Sequence, residues 1–244
     1  MKKKALFNWS SGKDSALALY RTLHNPNFEI VTLLTSVSEQ YKRISMHGVR
    51  VELLDQQARS LGIPLTKMMI PEMPTMEVYE NVMRTTLTNL KEQGVTHSIF
   101  GDIFLEDLRM YRENKLKEMG FEGEFPLWKE DTKALIEEFL SLGFKTIVTC
   151  VNEKFLDKSF VGRIIDQQFI ADLPDNVDVC GENGEFHTFT FDGPIFDKPI
   201  AFEIGEIVHR KYEKPKGTST SNTACDTDDT PSEFGFWYCD LIPK

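Results

Sequence analysis

Asn8-Trp9-Ser10-Ser11-Gly12-Lys13-Asp14-Ser15 follows the short apolar run Lys4-Ala-Leu-Phe and opens a segment in which Ala16, Leu19, Tyr20 and Leu23 recur at helical spacing. The run before it reads as a buried strand, so the stretch is a strand-to-helix loop. Such a loop aims several backbone N–H groups and the positive end of the helix dipole at one point. A phosphate suits that point. Gly12 allows close approach of the backbone, Ser10, Ser11 and Ser15 supply hydroxyls, and Lys13 supplies a full positive charge.

The residues that follow repeat the pattern. Residues 29–37 and 65–70 are β-rich, and 97–103 reads as a fourth strand. Helical spacing between them runs through Val49, Leu53, Leu54, Ala58 and Leu61, and then through Val78, Val82, Leu87 and Leu90. Alternating strands and helices imply a parallel sheet whose ligands sit beyond the C-terminal strand ends, which places Ser10–Ser15 and Gly101–Asp102 on one rim. Near residue 122 the organisation changes. Gly123 and Pro126 separate two helical patterns, and the reading divides the chain there into 1–122 and 123–244. In the latter, 146–151 reads as a strand, 160–173 as a helix, and 189–191, 201–204 and 207–208 as short strands with turns at Asp192-Gly193-Pro194 and at Gly205. Residues 214–232 are polar enough to predict a mobile loop, and 234–241 a returning strand.

Composition narrows the function classes. Of 244 residues 28 are Lys or Arg and 38 are Asp or Glu, a net charge of −10, which disfavours a nucleic-acid partner. No apolar stretch is long enough to span a membrane, and a cytoplasmic protein with no membrane partner is expected. Cys150, Cys180, Cys225 and Cys239 lack zinc or redox spacing and read as reduced thiols.

Two further clusters carry polar chemistry. Cys180-Gly-Glu-Asn-Gly-Glu-Phe-His-Thr188 sets Glu182, Asn183, Glu185 and His187 between Gly181 and Gly184, either as a ligand-holding loop or as a solvated hairpin. The run from Phe100 to Glu113 contains Gly101 and Asp102, the latter a candidate for acceptor or Mg²⁺ contact. Arg109 and Glu113 lie at i, i+4, where a surface ion pair is the default. His47, in Ser-Met-His-Gly-Val-Arg, is either a site residue or an ordinary surface histidine.

The phosphate loop is not a Walker A motif, because Phe7 and Asp14 occupy the places of its first glycine and its Ser/Thr. It resembles the PP-loop, Ser-Gly-Gly-x-Asp-Ser, of the ATP pyrophosphatases, with Ser11 in place of the first glycine; a serine-rich helix cap is the plainer alternative. With the Gly101 region and the Gly181–Thr188 loop, the whole chain resembles the diphthine–ammonia ligase family. That resemblance implies an α/β fold: a parallel-sheet domain like the adenine nucleotide alpha hydrolases (HUP, Rossmann-like), followed by a smaller C-terminal α+β domain. It also implies ATP and Mg²⁺, adenylation of a small-molecule or protein-borne carboxylate, and transfer of ammonia. Ser10, Ser11, Gly12, Lys13, Asp14 and Ser15 would hold the nucleotide, with Asp14 on the metal. Lys13, Asp14, Glu182, Glu185 and His187 would act in catalysis, and His47, Gly101, Asp102, Arg109, Glu113, Gly181, Asn183 and Gly184 would line the acceptor site. A homo-oligomer is left open. This chain departs from the family at Ser11, at Asp102 where the ligases have alanine, at Asn183 and His187 in place of glycine and glutamate, and at Leu108 and Tyr111. Most of these lie on the acceptor side. A tRNA-modifying PP-loop enzyme and a non-catalytic nucleotide sensor are the alternatives.

Overall fold

Ala5, Leu6 and Phe7 are all fully buried, so the first strand has a core on each of its faces. The computed structural model describes residues 2–45, 47–72, 74–212 and 234–244. In chain order the first part comprises β1 (Lys3–Asn8), α1 (Lys13–Leu23), β2 (Phe28–Ser38), β3 (Arg43–Ile44), α2 (Val51–Leu61), β4 (Leu65–Ile70), α3 (Met76–Glu92), β5 (His97–Ile99), α4 (Glu106–Glu118) and β6 (Glu122–Glu124). The second part comprises α5 (Thr132–Ser141), β7 (Lys145–Asn152), α6 (Gln167–Asp172), β8 (Phe186–Asp192), β9 (Phe202–Tyr212) and β10 (Phe234–Pro243).

β1 lies between β2 and β5; β4 extends the sheet beyond β2, and β6 beyond β5, all parallel. Only the two-residue β3 runs antiparallel, against the end of β2. Leu6 packs with Leu87 and Leu90 of α3 and Leu116 of α4 on one side. Ala5 and Phe7 share the other core with α1, α2 and the second sheet. That second sheet is antiparallel, in the order β8-β7-β10-β9. The α/β class and the parallel first sheet expected from the alternation are present. Glu122–Glu124 still belong to the first sheet, paired with His97–Ile99.

Three expected elements differ. The fourth strand ends at Ile99, because the chain turns out of the sheet at Gly101, where a Cβ would stand 3.0–3.1 Å from the backbone of Asp14 and Ser15. The helix expected over 160–173 shrinks to α6: Gly162 takes φ +81°, its N–H bonds Val148 O, and the N–H of Ile165 bonds Thr146 O, so this stretch lies beside β7 until Asp166 caps the helix. Gly205 makes no turn. β9 runs through it, and a register shift opposite Cys239 to Leu241 absorbs the extra residue as a bulge. The returning strand expected over 234–241 is β10. The loop expected over 214–232 lies outside the described residues.

Candidate active site

The loop after β1 is built against the edge strand of the second sheet. Ser11 O accepts from Thr190 N–H at 2.9 Å, and Lys13 N–H donates to Thr188 Oγ1 at 3.0 Å. Gln57 donates to both Ser11 O and Thr190 O, and its own oxygen accepts from Trp9 Nε1. Within the loop Ser10 Oγ accepts from Gly12 N–H and lies 3.0 Å from Ser15 Oγ, which donates to Gly12 O. Gly12 is required by space: a Cβ would meet His47 Cε1 and Thr188 Oγ1, both at 3.2 Å. Ser11, at the position of the motif's first glycine, takes φ +71°.

Lys13 is 3% exposed. Its ammonium donates to both Asp14 carboxylate oxygens, at 2.8 and 2.9 Å, and to Cys180 O, and it lies 5.3 Å from the centre of the Phe186 ring. Burial alone would pull this ammonium down, but Asp14, Cys180 and Glu182 outweigh it and hold it above the ordinary lysine value. The latch thus joins the phosphate loop to the 180–188 loop. Asp14 is pulled up by burial and down by Lys13.

In the second loop Gly181 and Gly184 take φ +69° and +82°, which seats the turn. Asp178 Oδ2 accepts from the N–H groups of Cys180 and Glu182. Glu182 Oε1 accepts from Ile103 N–H at 2.8 Å, which ties the loop to the rim beside Gly101. Burial, with help from Asp14, pushes the Glu182 carboxyl up to about 7. Glu185 is 1% exposed and Asn183 donates to it, so this is not a solvated hairpin. The rings of His187 and His47 lie with centres 4.6 Å apart and planes tilted by 35°, and His47 Nδ1 lies 3.3 Å from Thr188 O. Burial lowers both imidazoles, His187 to about 3 and His47 to about 4, with Lys13 adding to the effect; both are neutral at pH 7.

Asp102 reaches this cluster. Its Oδ2 lies 2.9 Å from Arg112 Nη1 but accepts no well-directed hydrogen bond, and burial raises its carboxyl, Asp14 adding to the rise. Arg109 and Glu113 do not join it. They pair with each other at 2.7 Å, and the guanidinium stacks on Phe125 and Trp128. The cavities at the far end of α1, among Arg21, Asn25, Phe28 and Phe125, also lie away from the cluster. Thr188, Asp178, Gln57 and Arg112 were not singled out from sequence. Thr188, the last residue of the second polar cluster, and Arg112, inside the Phe100–Glu113 run, had a signal; Asp178 and Gln57 had none. Among the described residues no three of His, Cys, Asp and Glu are arranged as a metal cage. Mg²⁺ held by one or two carboxylates needs no such cage; of Asp102 and Asp14, it is Asp102 Oδ2 that lacks a hydrogen bond, while both Asp14 oxygens accept from Lys13.

Cys150, Cys180 and Cys239 are buried free thiols whose pKa values burial pushes up, Cys150 to about 12 and Cys239 to about 11. No helix among the described residues is long and apolar enough to cross a membrane.

The diphthamide synthase N-terminal domain matches residues 1–123 and the diphthamide synthase C-terminal domain residues 131–223. A diphthine–ammonia ligase of Homo sapiens is 27% identical over 186 residues, 70% of this chain and 68% of its own. That of Danio rerio is 26% identical over 223 residues, covering 82% and 86%. Among solved structures, the U34-tRNA thiolase NcsA from Methanococcus maripaludis, with its 4Fe-4S cluster, aligns at TM-score 0.37 and 18% identity, over 58% of this chain and 57% of that one.

Proposed function

The chain belongs to the diphthamide synthase family as an ATP-dependent ligase of the PP-loop kind, and we propose that it adenylates a carboxylate, releases pyrophosphate and transfers ammonia to the activated carbonyl. The observation that carries this reading is the Lys13 latch, which puts a buried cation, the N-terminus of α1 and the 180–188 loop at one point. On nucleotide entry Lys13 would exchange Cys180 O for phosphate oxygens. The positive end of the α1 dipole and the Lys13 charge then stabilise the leaving pyrophosphate. Mg²⁺ brought in with the nucleotide would neutralise part of that charge, with Asp14 as the residue to hold it.

Ammonia's lone pair forms the C–N bond to the acyl carbon. The C–O bond to AMP breaks, AMP leaves with the electron pair, and the nitrogen sheds a proton. Glu182, with its carboxyl near 7, is matched to taking that proton at neutral pH. The neutral rings of His47 and His187, kept low chiefly by burial, hold the acceptor side without adding positive charge. The acceptor is a small-molecule or protein-borne carboxylate. Asp102, Asn183 and His187 set this pocket apart from that of the ligases it resembles.

The test incubates the protein with ATP, Mg²⁺, ammonium and a panel of carboxylates, and measures acceptor-dependent AMP and pyrophosphate. Both should be lost in Lys13→Ala. Formation of ADP, or tight ATP binding with no turnover on any carboxylate, would overturn the reading, the second outcome marking a nucleotide sensor.

A further inference from the structure

Glu185 stands at the foot of β8 with 1% of its surface exposed. Its Oε1 accepts from Asp178 N–H at 3.1 Å and from Asn183 Nδ2 at 3.0 Å. Its Oε2 is buried and has no hydrogen-bond partner among the described residues. A buried carboxylate oxygen without a donor is costly, and a buried charge without a counter-charge more so.

The surroundings narrow what could answer it. Enclosure demands something small. A divalent metal that keeps several of its waters is too large for an oxygen this enclosed. The unmet demand is for one positive charge and for N–H or O–H donors, since Oε1 is already supplied. Ammonium fits: it carries a single charge, is close to water in size, and presents four N–H donors.

We propose that Glu185 Oε2 is a binding site for ammonium. Asn183 and the Asp178 amide act as positioning groups that hold the carboxylate by its other oxygen. The site deepens, and rests on, the ligase reading above, in which the ion is the source of the transferred nitrogen. Before attack the ion loses one proton to bulk water; the second proton, shed once the C–N bond has formed, is the one Glu182 takes.

The experiment measures thermal unfolding of the full chain with ammonium chloride, potassium chloride or sodium chloride at equal ionic strength and neutral pH. Ammonium should raise the midpoint in a saturable way that potassium and sodium do not. Glu185→Gln should lose that increment, and Asn183→Ala should raise the half-saturating ammonium concentration by roughly tenfold to a hundredfold, the scale of one lost hydrogen bond to a charged group. Equal responses to the three salts in the natural chain would overturn the proposal, and that comparison stands even where the Gln variant folds poorly. Acceptor-dependent exchange of labelled pyrophosphate into ATP, run without ammonium, reports adenylation separately. Its absence would count against the ligase reading and leave the ammonium site to be judged on the unfolding data.

Discussion

Ser11→Gly should stabilise the protein. Ser11 sits at φ +71°, fully buried, with its hydroxyl lacking a partner among the described residues. The left-handed conformation costs a residue with a Cβ about 1–2 kcal/mol, and an unsatisfied buried hydroxyl costs about 1–3 kcal/mol. Glycine removes both terms, and the two bonds accepted by Ser11 O, from Thr190 and Gln57, come from the backbone and survive. Against this, the freer unfolded chain offsets about 0.4–1 kcal/mol. The net expectation is a gain of roughly 1–4 kcal/mol, at about 2–4 °C in unfolding midpoint per kcal/mol for a chain of this size. Thermal and urea unfolding of the natural chain, Ser11→Gly and Ser11→Ala would measure it. The Ala variant deletes the hydroxyl but keeps the strained backbone, so the difference between the two isolates the conformational term. A Gly variant less stable than the natural chain would refute the reasoning, because the hydroxyl would then be held by an interaction worth more than both costs.

Lys13→Met alone should cost about 3 kcal/mol by leaving Asp14 without its cation, and Lys13→Met with Asp14→Asn should recover much of that loss; strictly additive urea-unfolding costs would contradict the pairing. Glu182 holds its proton more tightly folded than unfolded, so its contribution is complete below its ordinary value of 4.5 and is lost as pH rises through about 7. Glu182→Gln should therefore flatten the decline in stability between about pH 5 and pH 8, read by urea unfolding across that range. Asp240 is the reverse case. Arg50 and Arg43 hold its carboxyl down at about 2, so its contribution is present above the ordinary 3.8 and is lost as pH falls through about 2. Asp240→Asn should cost about 1.5–3 kcal/mol at neutral pH, and the corresponding loss between about pH 4 and pH 2 should vanish from an acid titration of stability.

The first sheet was legible because its strands and helices carry local signals: an apolar run such as 65–70, and a helical stripe such as Leu53, Leu54, Ala58 and Leu61 ending at Gly62, which takes φ +66°. The phosphate loop was legible for the same reason, as eight adjacent residues. What failed to read were the places where tertiary pairing overrides local preference. Residues 160–166 carry Phe160, Val161 and Ile165 at near-helical spacing, yet they satisfy their backbone against β7. Gly205 looks like a turn in one dimension and is a bulge in two. In the site, Arg109 and Arg112 belong to the same helix, and only the structure shows that Arg112 reaches Asp102 while Arg109 turns onto Phe125 and Trp128.

The least readable feature is also the one that makes the site. β8 is an edge strand, and an edge must be covered or paired. Here the cover is the phosphate loop itself: Thr190 N–H bonds Ser11 O, Thr188 Oγ1 accepts from Lys13 N–H, and Gln57 spans the two chains. A strand-to-helix loop ordinarily takes its shape from its own strand and helix. This one is held on its other side by the strand that carries His187, and Lys13 is latched to the carbonyl of Cys180 just before Glu182. Any movement of Lys13 toward a phosphate therefore releases a contact made by the loop bearing Glu182, Asn183 and Glu185. On the proposed function, nucleotide occupying this loop would thereby act on the loop bearing Glu182 through the Lys13 contact alone.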